Sequence, residues 1–593
     1  MSKKASGATL GRYWRTIRYL RTEQLLWRIY YKVRRRLGGP PAIGGFTSRV
    51  AFEPPALDRL RAYAKTVAAH HKRESAEITL VRQGKWRILG EDVAYDAESF
   101  WRAANLSPLA AYTRQYMHPV ADLALANAAA PTVEDGALVF GWMRDWIGHE
   151  TNNNGVAWDA FPISCRVMNW SLAFAVFGPP PDDIARAYAA QIVHLRRNIE
   201  YDVQANHLHK NAVALVVAAA LLGDTARTCG LTLDFARNLL MAQVREQILP
   251  DGGHYERSPM YHCHVLEDHL FALAALNDPP GRFRSTTVKM ARFLAEIVHD
   301  DGDIPLFGDA ALDAGLPPQA LLGATKDMCD TAVEPSKDAF VALEPSGFYS
   351  IRGNDGSRMI VKAGPPGPAH QLGHAHCDQL SYEFTVDGRR VLVDSGVCEY
   401  GAGPMRGYLR GTHAHNTAQV GNLEQHECWG AFRVGRRARS VVDEWRCGAG
   451  EARLRAHHDG FAPHVIERIV QKTADGLWIV RDLVQGPSPT RVRSYLHVHP
   501  ELDVVELRPG WQLTWGDEIV ASIWPLADEA CSIESRNATP PENWYCPRFG
   551  EAIPSDVLVV SASESCPVQL GYVIVAGAGE RPEPGRIRSV LNV

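Results

Sequence analysis

The sequence feature that most constrains the fold is a change in the spacing of apolar residues near position 340. Before it, segments 185–203, 209–224 and 233–249 repeat apolar residues every three or four positions, which predicts amphipathic helices. After segment 334–347, short runs such as SYEFTV at 381–386 alternate apolar and polar residues, which predicts strands. A helical part is therefore followed by a stranded part, and 593 residues suffice for two large domains.

The helical and the stranded spacing of apolar residues together predict the fold class. Successive helical hairpins without strands indicate a curved helical array, and many short strands without intervening helices indicate an antiparallel β-sandwich. We expect a multidomain α+β protein with three parts. They are a basic amphipathic N-terminal segment at 1–45, a helical domain at 46–335 and an antiparallel β-sandwich domain at 336–593.

The N-terminal segment is unusually basic. Residues 1–40 carry eleven Lys and Arg residues and a single acid, Glu23, whereas the whole chain has a net charge of −4. Aromatic residues such as Trp14 and Trp27 are interspersed, a composition that attracts an anionic membrane surface or a polyanionic glycan. The alternative is a helix docked on the body of the protein with its arginines in solvent. No nucleic-acid-binding motif accompanies the segment, so nucleic acid is not an expected partner.

The N-terminal segment also bears on the cellular location of the protein. Arg12, Arg15, Arg18 and Arg21 interrupt every apolar run that a secretory signal would need, so no signal peptide is evident. No stretch approaches the roughly 20 apolar residues of a membrane-spanning helix. We expect a cytoplasmic or membrane-peripheral protein, with a periplasmic location and the oligomeric state left open.

Two polar clusters lie at predicted helix starts. Asn206, His207 and His209 precede an apolar helix, whose N-terminal N–H groups and positive potential favour binding of a carboxylate. The structural alternative is that the asparagine only caps the helix. The segment DGGHYERSPMYH at 251–262 forms the second cluster, in which Tyr261 lies among other polar residues and is suited to proton exchange with a substrate.

A third cluster has the character of a metal site. His374 and His376 are two residues apart in an extended segment, so both are expected to project to the same side. Asp394 follows an apolar strand, and His413 and His415 repeat the two-residue spacing. Imidazole and carboxylate side chains are suitable ligands for a divalent metal, zinc above all, although these spacings alone fix no geometry.

These clusters and their neighbours resemble the heparinase II/III family of polysaccharide lyases. The resemblance covers roughly residues 140–425, and its motifs occur in the order expected for the family. They are WDAFPISCRVMNW (158–170), NHLHKNAVAL (206–215), DGGHYERSPMYH (251–262), DIPLFGD (303–309), GHAHCDQLSYEF (373–384), VLVDSG (391–396) and GTHAHNT (411–417).

The resemblance implies an N-terminal (α/α) toroid joined to a C-terminal antiparallel β-sandwich, with the catalytic cleft between them. By matching position, Asn206 is expected to neutralise the uronate carboxylate, Tyr261 to act as proton donor or base, and His374 to be the partner base. The matching metal ligands, for a structural zinc or alternatively calcium, are His376, Asp394 and His415.

The implied activity is β-elimination on a bacterial uronate-containing polysaccharide, which leaves a 4,5-unsaturated uronate end. Turnover or editing of a bacterial exopolysaccharide during its synthesis is an alternative setting to the digestion of a polysaccharide for nutrition. Predicted substrate contacts are His207, His209, Glu256, Arg257, His262, Arg410 and His413. Two alternatives stay open: a metal-dependent glycan hydrolase that activates water at the same ligands, and a non-catalytic glycan-binding factor of exopolysaccharide assembly.

Overall fold

The structure is a computed structural model. It describes residues 7–583 and 585, except for the gaps at 38–45, 47, 72–74, 98–99, 103–105, 150–154, 489, 527–529, 535–542 and 584. Within these residues a helical half is followed by a stranded half, as the change in periodicity predicts. The last long helix of the first half ends at Cys329 and the first strand of the second half begins at Phe340. The predicted boundary at 335/336 falls between these two elements.

Helices dominate the first half. In chain order they are α1 Gly7–Ile17, α2 Thr22–Leu37, α3 Pro54–His70, α4 Ser75–Arg82, α5 Pro108–Arg114, α6 His118–Ala126, α7 Val133–His149, α8 Ala160–Phe177, α9 Asp182–Arg197, α10 Ala205–Leu222, α11 Thr225–Thr228, α12 Leu233–Gln247, α13 Pro259–Ala275, α14 Gly281–Ile297, α15 Pro318–Cys329 and, within the second half, α16 Pro404–Leu409. A short hairpin of β1 Lys85–Ile88 and β2 Glu91–Ala94, which the sequence pattern did not reveal, lies among them.

Two central helices organise this half. Helices α8 and α10 are apolar on nearly every side and are almost wholly buried, as expected of core helices. Helix α10 packs against α8, α12 and α13, while α3 contacts α8, α13 and α15. In the described part of the chain, α8 alone is long and apolar enough to span a membrane, but 83% of it is buried within the protein. A core position accounts for its composition.

Antiparallel strands make up the second half. They are β3 Phe340–Leu343, β4 Phe348–Arg352, β5 Ser357–Lys362, β6 Ser381–Val386, β7 Arg389–Leu392, β8 Ala418–Val420, β9 Cys428–Trp429, β10 Arg433–Val434, β11 Ser440–Gly448, β12 Glu451–His458, β13 Val465–Lys472, β14 Trp478–Gln485, β15 Thr490–His497, β16 Asp503–Leu507, β17 Gly510–Trp515, β18 Glu518–Pro525, β19 Ala530–Glu534, β20 Trp544–Tyr545, β21 Ile553–Pro554, β22 Val557–Glu564 and β23 Val568–Ala576.

The large sheets stack in layers. The largest has the order β11-β12-β13-β14-β23-β18-β17-β16, the second β19-β22-β15-β8, and the third β3-β4-β5-β6-β7. The third sheet lies between the two halves, because β5 and β6 are buried along their whole length. Successive side chains of β6 point to opposite faces of the sheet, so each face is covered by a different half. Tyr382 belongs to the sandwich core, whereas Glu383 accepts a hydrogen bond from the Leu306 N–H of the helical half. This sheet fixes the two halves against each other.

Candidate active site

The candidate site lies where segments of both halves meet. The helical half contributes the N-termini of α10 and α13 and the segment between α14 and α15. The stranded half contributes the loop between β5 and β6 and the loop that precedes α16. The side chains that these segments carry are described in turn.

Tyr261 and His374 form the centre of the site. Their rings are stacked, with centroids 3.8 Å apart and planes inclined by 27°. Tyr261 lies in the first turn of α13, where its N–H donates to the Oγ of the capping residue Ser258 at 3.3 Å. The phenol of Tyr261 is 3.2 Å from the hydroxyl of Tyr400. Burial raises the pKa of Tyr261, and the nearby Asp309 carboxylate raises it further, so the phenol keeps its proton at neutral pH.

Asp309 orients the histidines. Its Oδ2 is 2.8 Å from Nδ1 of His374 and its Oδ1 is 2.8 Å from Nε2 of His376. The two histidines do reach the same carboxylate, although residues 373 and 374 form a turn and not the predicted extended segment. A proton held on Nδ1 of His374 by Asp309 leaves Nε2 as the acceptor atom of that ring. Asp309 ends the quoted motif DIPLFGD, but sequence reasoning assigned it no role.

Asp309 is fully buried and is held as an anion by Arg406. Both terminal nitrogens of Arg406 donate to the Asp309 carboxylate, one of them at 2.9 Å to Oδ2. Burial by itself would raise the pKa of Asp309, but Arg406 and the two histidines outweigh burial and hold this pKa well below its usual range. Arg406 also lies over the ring of Tyr400, 4.9 Å from its centroid. Sequence reasoning missed Tyr400, because it belongs to no quoted motif.

Asn206 joins this centre through Glu256. The backbone N–H of Asn206 donates to Oε1 of Glu256 at 2.9 Å, and Oε2 of Glu256 is 3.6 Å from Nε2 of His374. Burial raises the pKa of Glu256, which favours its neutral form. The three predicted catalytic residues, Asn206, Tyr261 and His374, are thus brought into one continuous cluster.

The backbone at the start of α10 is strained. Gln204 and Ala205 adopt φ values of 65° and 52°, a region that residues other than glycine rarely occupy. Such conformations cost on the order of 1–3 kcal/mol each and persist where surrounding contacts hold them. Here they turn the chain sharply so that Asn206 faces Glu256.

Four residues that were predicted to contact the substrate have a different role in the structure. His209 is fully buried and stacks on His269, and His262 is buried with Nε2 3.0 Å from the Met290 carbonyl oxygen. Arg257 donates to the carbonyl oxygens of Tyr255, Pro345 and Ser346, and Arg410 donates to those of Ala375, Gly430 and Ala431. These four side chains are buried beneath the site, where they hold neighbouring segments in place, and a polymer cannot reach them.

Two other predicted contacts remain accessible at the edge of the site. The ring of His207 lies against that of Phe161, with centroids 4.4 Å apart and planes inclined by 38°, and its Nδ1 bonds Glu200 at 2.9 Å. Burial would lower the pKa of His207, but the Glu200 carboxylate more than offsets burial and raises it. His413 lies 3.9 Å from a carboxylate oxygen of Glu424. Both side chains are 28% exposed, so each can meet a ligand.

The predicted metal ligands do not form a metal site in this arrangement. His415 bonds Asp394 through Nδ1 at 2.8 Å, and His376 bonds Asp309, so these groups satisfy one another. His376 Nδ1, His415 Nε2 and Asp378 Oδ1 have no hydrogen-bond partner within the described residues. No group of three His, Cys, Asp or Glu side chains in the described ranges is placed to hold an ion.

A buried lysine supplies positive charge beside these residues. The Lys362 ammonium donates to Oδ2 of Asp378 at 2.6 Å, and both side chains are buried. Burial by itself would raise the pKa of Asp378, yet Lys362 more than offsets burial and lowers it. The described residues therefore present no complete ligand set as they are placed, and the zinc prediction stays a prediction.

Chelation tests whether the protein holds a metal ion. We expect treatment with EDTA to leave the Tm and the turnover rate of the purified protein unchanged, because Lys362 and Arg406 already balance the buried carboxylates. Metal content measured by mass spectrometry is expected to be far below one zinc per chain. Stoichiometric zinc, or a lower Tm after chelation that zinc restores, would show that these side chains rearrange around an ion.

Both halves match known sequence families. Residues 112–316 match the model described as the heparinase II/III N-terminus, and residues 335–577 match the heparinase II/III-like, C-terminal model. The two matches together cover most of the chain and include the candidate site residues Asn206, Tyr261 and His374.

Individual relatives agree with these matches. A heparin-sulfate lyase of Bacteroides stercoris is 25% identical over 313 residues, which cover 47% of this chain and 46% of the relative. The chain thus spans about half of the length of the curated relatives that it matches. A crystal structure of heparinase III has a TM-score of 0.67 at 16% identity, covering 90% of this chain and 86% of that chain. A heparan sulfate lyase from Pedobacter heparinus has a TM-score of 0.55 at 17% identity, covering 88% of each chain. These structures support the toroid and sandwich fold.

Proposed function

This chain belongs to the heparinase II/III family, and we propose that it is a lyase that cleaves a uronate-containing polysaccharide by β-elimination. The observation that carries the proposal is the stack of Tyr261 on His374, with ring centroids 3.8 Å apart, connected through Glu256 to Asn206. An acid and a base in contact, with an asparagine held through its backbone N–H by the carboxyl group next to the base, fit an elimination next to a carboxylate.

Elimination must first overcome the weak acidity of the hydrogen on C5 of the uronate. Charge that develops on the neighbouring carboxylate has to be stabilised, in the manner of an oxyanion hole. We assign this role to the Asn206 amide, supported by the positive end of α10. The raised pKa of Glu256 fits the same purpose, because a neutral carboxyl group does not repel the substrate carboxylate.

His374 is the proposed base. With Nδ1 bonded to Asp309 at 2.8 Å, the imidazole is fixed in one orientation, and its Nε2 is the atom that can accept the C5 proton. Asp309 acts through His374 and is a positioning residue. The 3.6 Å between Nε2 of His374 and Glu256 is too long for a strong hydrogen bond, so Nε2 is not committed to that partner.

Tyr261 is the proposed acid. Its raised pKa keeps the phenol protonated, which suits a group that delivers a proton to the oxygen leaving C4 and does not suit a base at neutral pH. The proton taken from C5 and the proton given to O4 balance, and the electron pair of the C5–H bond becomes the new C4–C5 double bond. The products are a 4,5-unsaturated uronate end and a free reducing end.

The substrate class follows from the relatives and the site. Heparin-sulfate lyases act on acidic polysaccharides by their names, and His207 and His413 are accessible histidines beside the site that can meet further acidic groups. We therefore propose an acidic polysaccharide, with a bacterial exopolysaccharide as the specific hypothesis. A metal-dependent hydrolase gains no support from the matched families and relatives, which are described as heparinase II/III-like or named heparin-sulfate lyases.

A panel of uronate polymers tests the reaction and the substrate together. Heparan sulfate, hyaluronan, alginate and acidic bacterial exopolysaccharides are incubated with the protein while the ultraviolet absorbance of the unsaturated product is followed. We expect absorbance to rise with at least one polymer and to stay flat with Asn206→Ala. New reducing ends without absorbance would indicate hydrolysis, and tight binding without either signal would indicate a glycan-binding factor.

A further inference from the structure

We propose that helices α1 and α2 form a docking surface for an anionic lipid membrane. This N-terminal hairpin takes no part in the chemistry proposed above, and the proposal does not depend on that chemistry.

One side of the hairpin is attached to the body of the protein. Helix α1 contacts the stranded half, where Nε of Arg15 donates to Glu427 at 2.8 Å and Tyr13 packs edge-on against Trp429. Helix α2 contacts the helical half, where Trp27 stacks on Tyr201 with centroids 4.8 Å apart. The hairpin thus has a defined orientation, with one side of each helix against the protein.

The other side of the hairpin is apolar and faces solvent. Trp14 is 67% exposed in α1, and Leu26 and Ile29 are 61% and 62% exposed in α2. Of the seventeen large apolar side chains that are exposed in the described residues, nine belong to these two helices: Leu10, Tyr13, Trp14, Ile17, Leu25, Leu26, Ile29, Tyr30 and Val33. Scattered apolar residues need no explanation, but a concentration of this kind on two adjacent helices marks an interaction surface.

Helix geometry places the exposed apolar residues of α2 on one side of the helix. Because a helix advances about 100° per residue, Ile29 and Val33 lie on one side of α2 and Gln24, Trp27 and Tyr31 lie on the other. The second group faces the protein, since Gln24 and Tyr31 are buried. The apolar side is therefore not an incompletely packed core face but a surface directed away from the body.

The positive charge of α1 and α2 favours an anionic partner. Arg18, Arg28 and Lys32 are exposed, and none of them takes part in a salt bridge within the described residues. Residues 1–40 contain eleven Lys and Arg residues and one acid. Apolar and aromatic side chains flanked by basic ones are what an amphipathic helix uses to lie in the interface of an anionic bilayer. A second copy of this chain carries the same positive charge on the same surface, so charge complementarity favours the lipid.

Vesicle sedimentation with the full chain tests the proposal. We expect the protein to bind vesicles of phosphatidylcholine mixed with phosphatidylglycerol, to bind pure phosphatidylcholine much more weakly, and to be released by salt. The double variant Trp14→Glu/Ile29→Glu is expected to lower the bound fraction at least about tenfold, because two inserted apolar side chains are lost. Arg18→Gln/Lys32→Gln is expected to reduce the preference for anionic vesicles.

Val133→Glu is the matched control, since Val133 is 83% exposed but lies at the start of α7, outside the hairpin. It is expected to bind vesicles as the unmodified protein does, and every variant is expected to keep the far-ultraviolet circular dichroism spectrum. Equal binding to neutral vesicles, no binding to anionic ones, or unchanged binding by the Trp14/Ile29 variant would overturn the proposal. So would gel filtration showing a dimer that this variant converts to monomers, because the surface would then bind a second copy.

Discussion

Replacing His374 by alanine is expected to lower kcat by about two to four orders of magnitude, the usual contribution of a positioned acid or base. The imidazole stacks on Tyr261, and Asp309 bonds its Nδ1. Its loss removes the atom that accepts the C5 proton and leaves the amide of Asn206 in place. KM is therefore expected to change far less than kcat.

The same assay includes two comparisons. Tyr261→Phe is expected to show a loss of similar size, because it removes the acid and keeps the stacked ring. His457→Ala, on the outer surface of β12 with a side chain 37% exposed, is expected to leave kcat unchanged. Both His374→Ala and Tyr261→Phe should keep the Tm within a few degrees. If His374→Ala retains nearly full kcat, the assignment of the base is incorrect.

Arg406→Met is expected to lower the free energy of unfolding by about 3–5 kcal/mol, the range seen when one partner of a buried ion pair is removed. Arg406 and Asp309 are both buried, and Arg406 donates to both Asp309 oxygens. Without the guanidinium, the Asp309 carboxylate keeps its desolvation cost and loses its main compensating charge. Urea denaturation followed by circular dichroism measures the change.

Two further variants make this result specific. Arg389→Met removes an exposed ion pair with Glu518, whose side chain is 61% exposed, and is expected to cost about 0–1 kcal/mol. Arg406→Met/Asp309→Asn is expected to recover part of the lost stability, because the unpaired buried charge is then gone. Equal losses for Arg406→Met and Arg389→Met, or no recovery in the double variant, would mean that the ion pair is not the source of the stability.

Much of the site was predictable because its chemistry is carried by motifs. Asn206, Tyr261 and His374 occur in three separate segments, and the structure brings them into one cluster. His374 and His376 reach the two oxygens of one carboxylate, but through a turn at residues 373 and 374 and not through the extended segment that their spacing predicted. The identity of that carboxylate was not predictable, since Asp309 lies 65 residues from His374 and no local pattern relates the two positions.

What the sequence by itself determined is therefore the order of the two halves and the set of chemical groups. The spacing of apolar residues indicates which local structure can bury them, and the motifs indicate which chemically reactive side chains are present. Only the tertiary structure decided which of these groups meet. Arg406 and Arg410 are four residues apart at α16 and are alike in type, yet one binds the Asp309 carboxylate and the other only backbone carbonyls. The packing of α16 against both halves makes that choice, because an arginine can neutralise only the carboxylate within its reach.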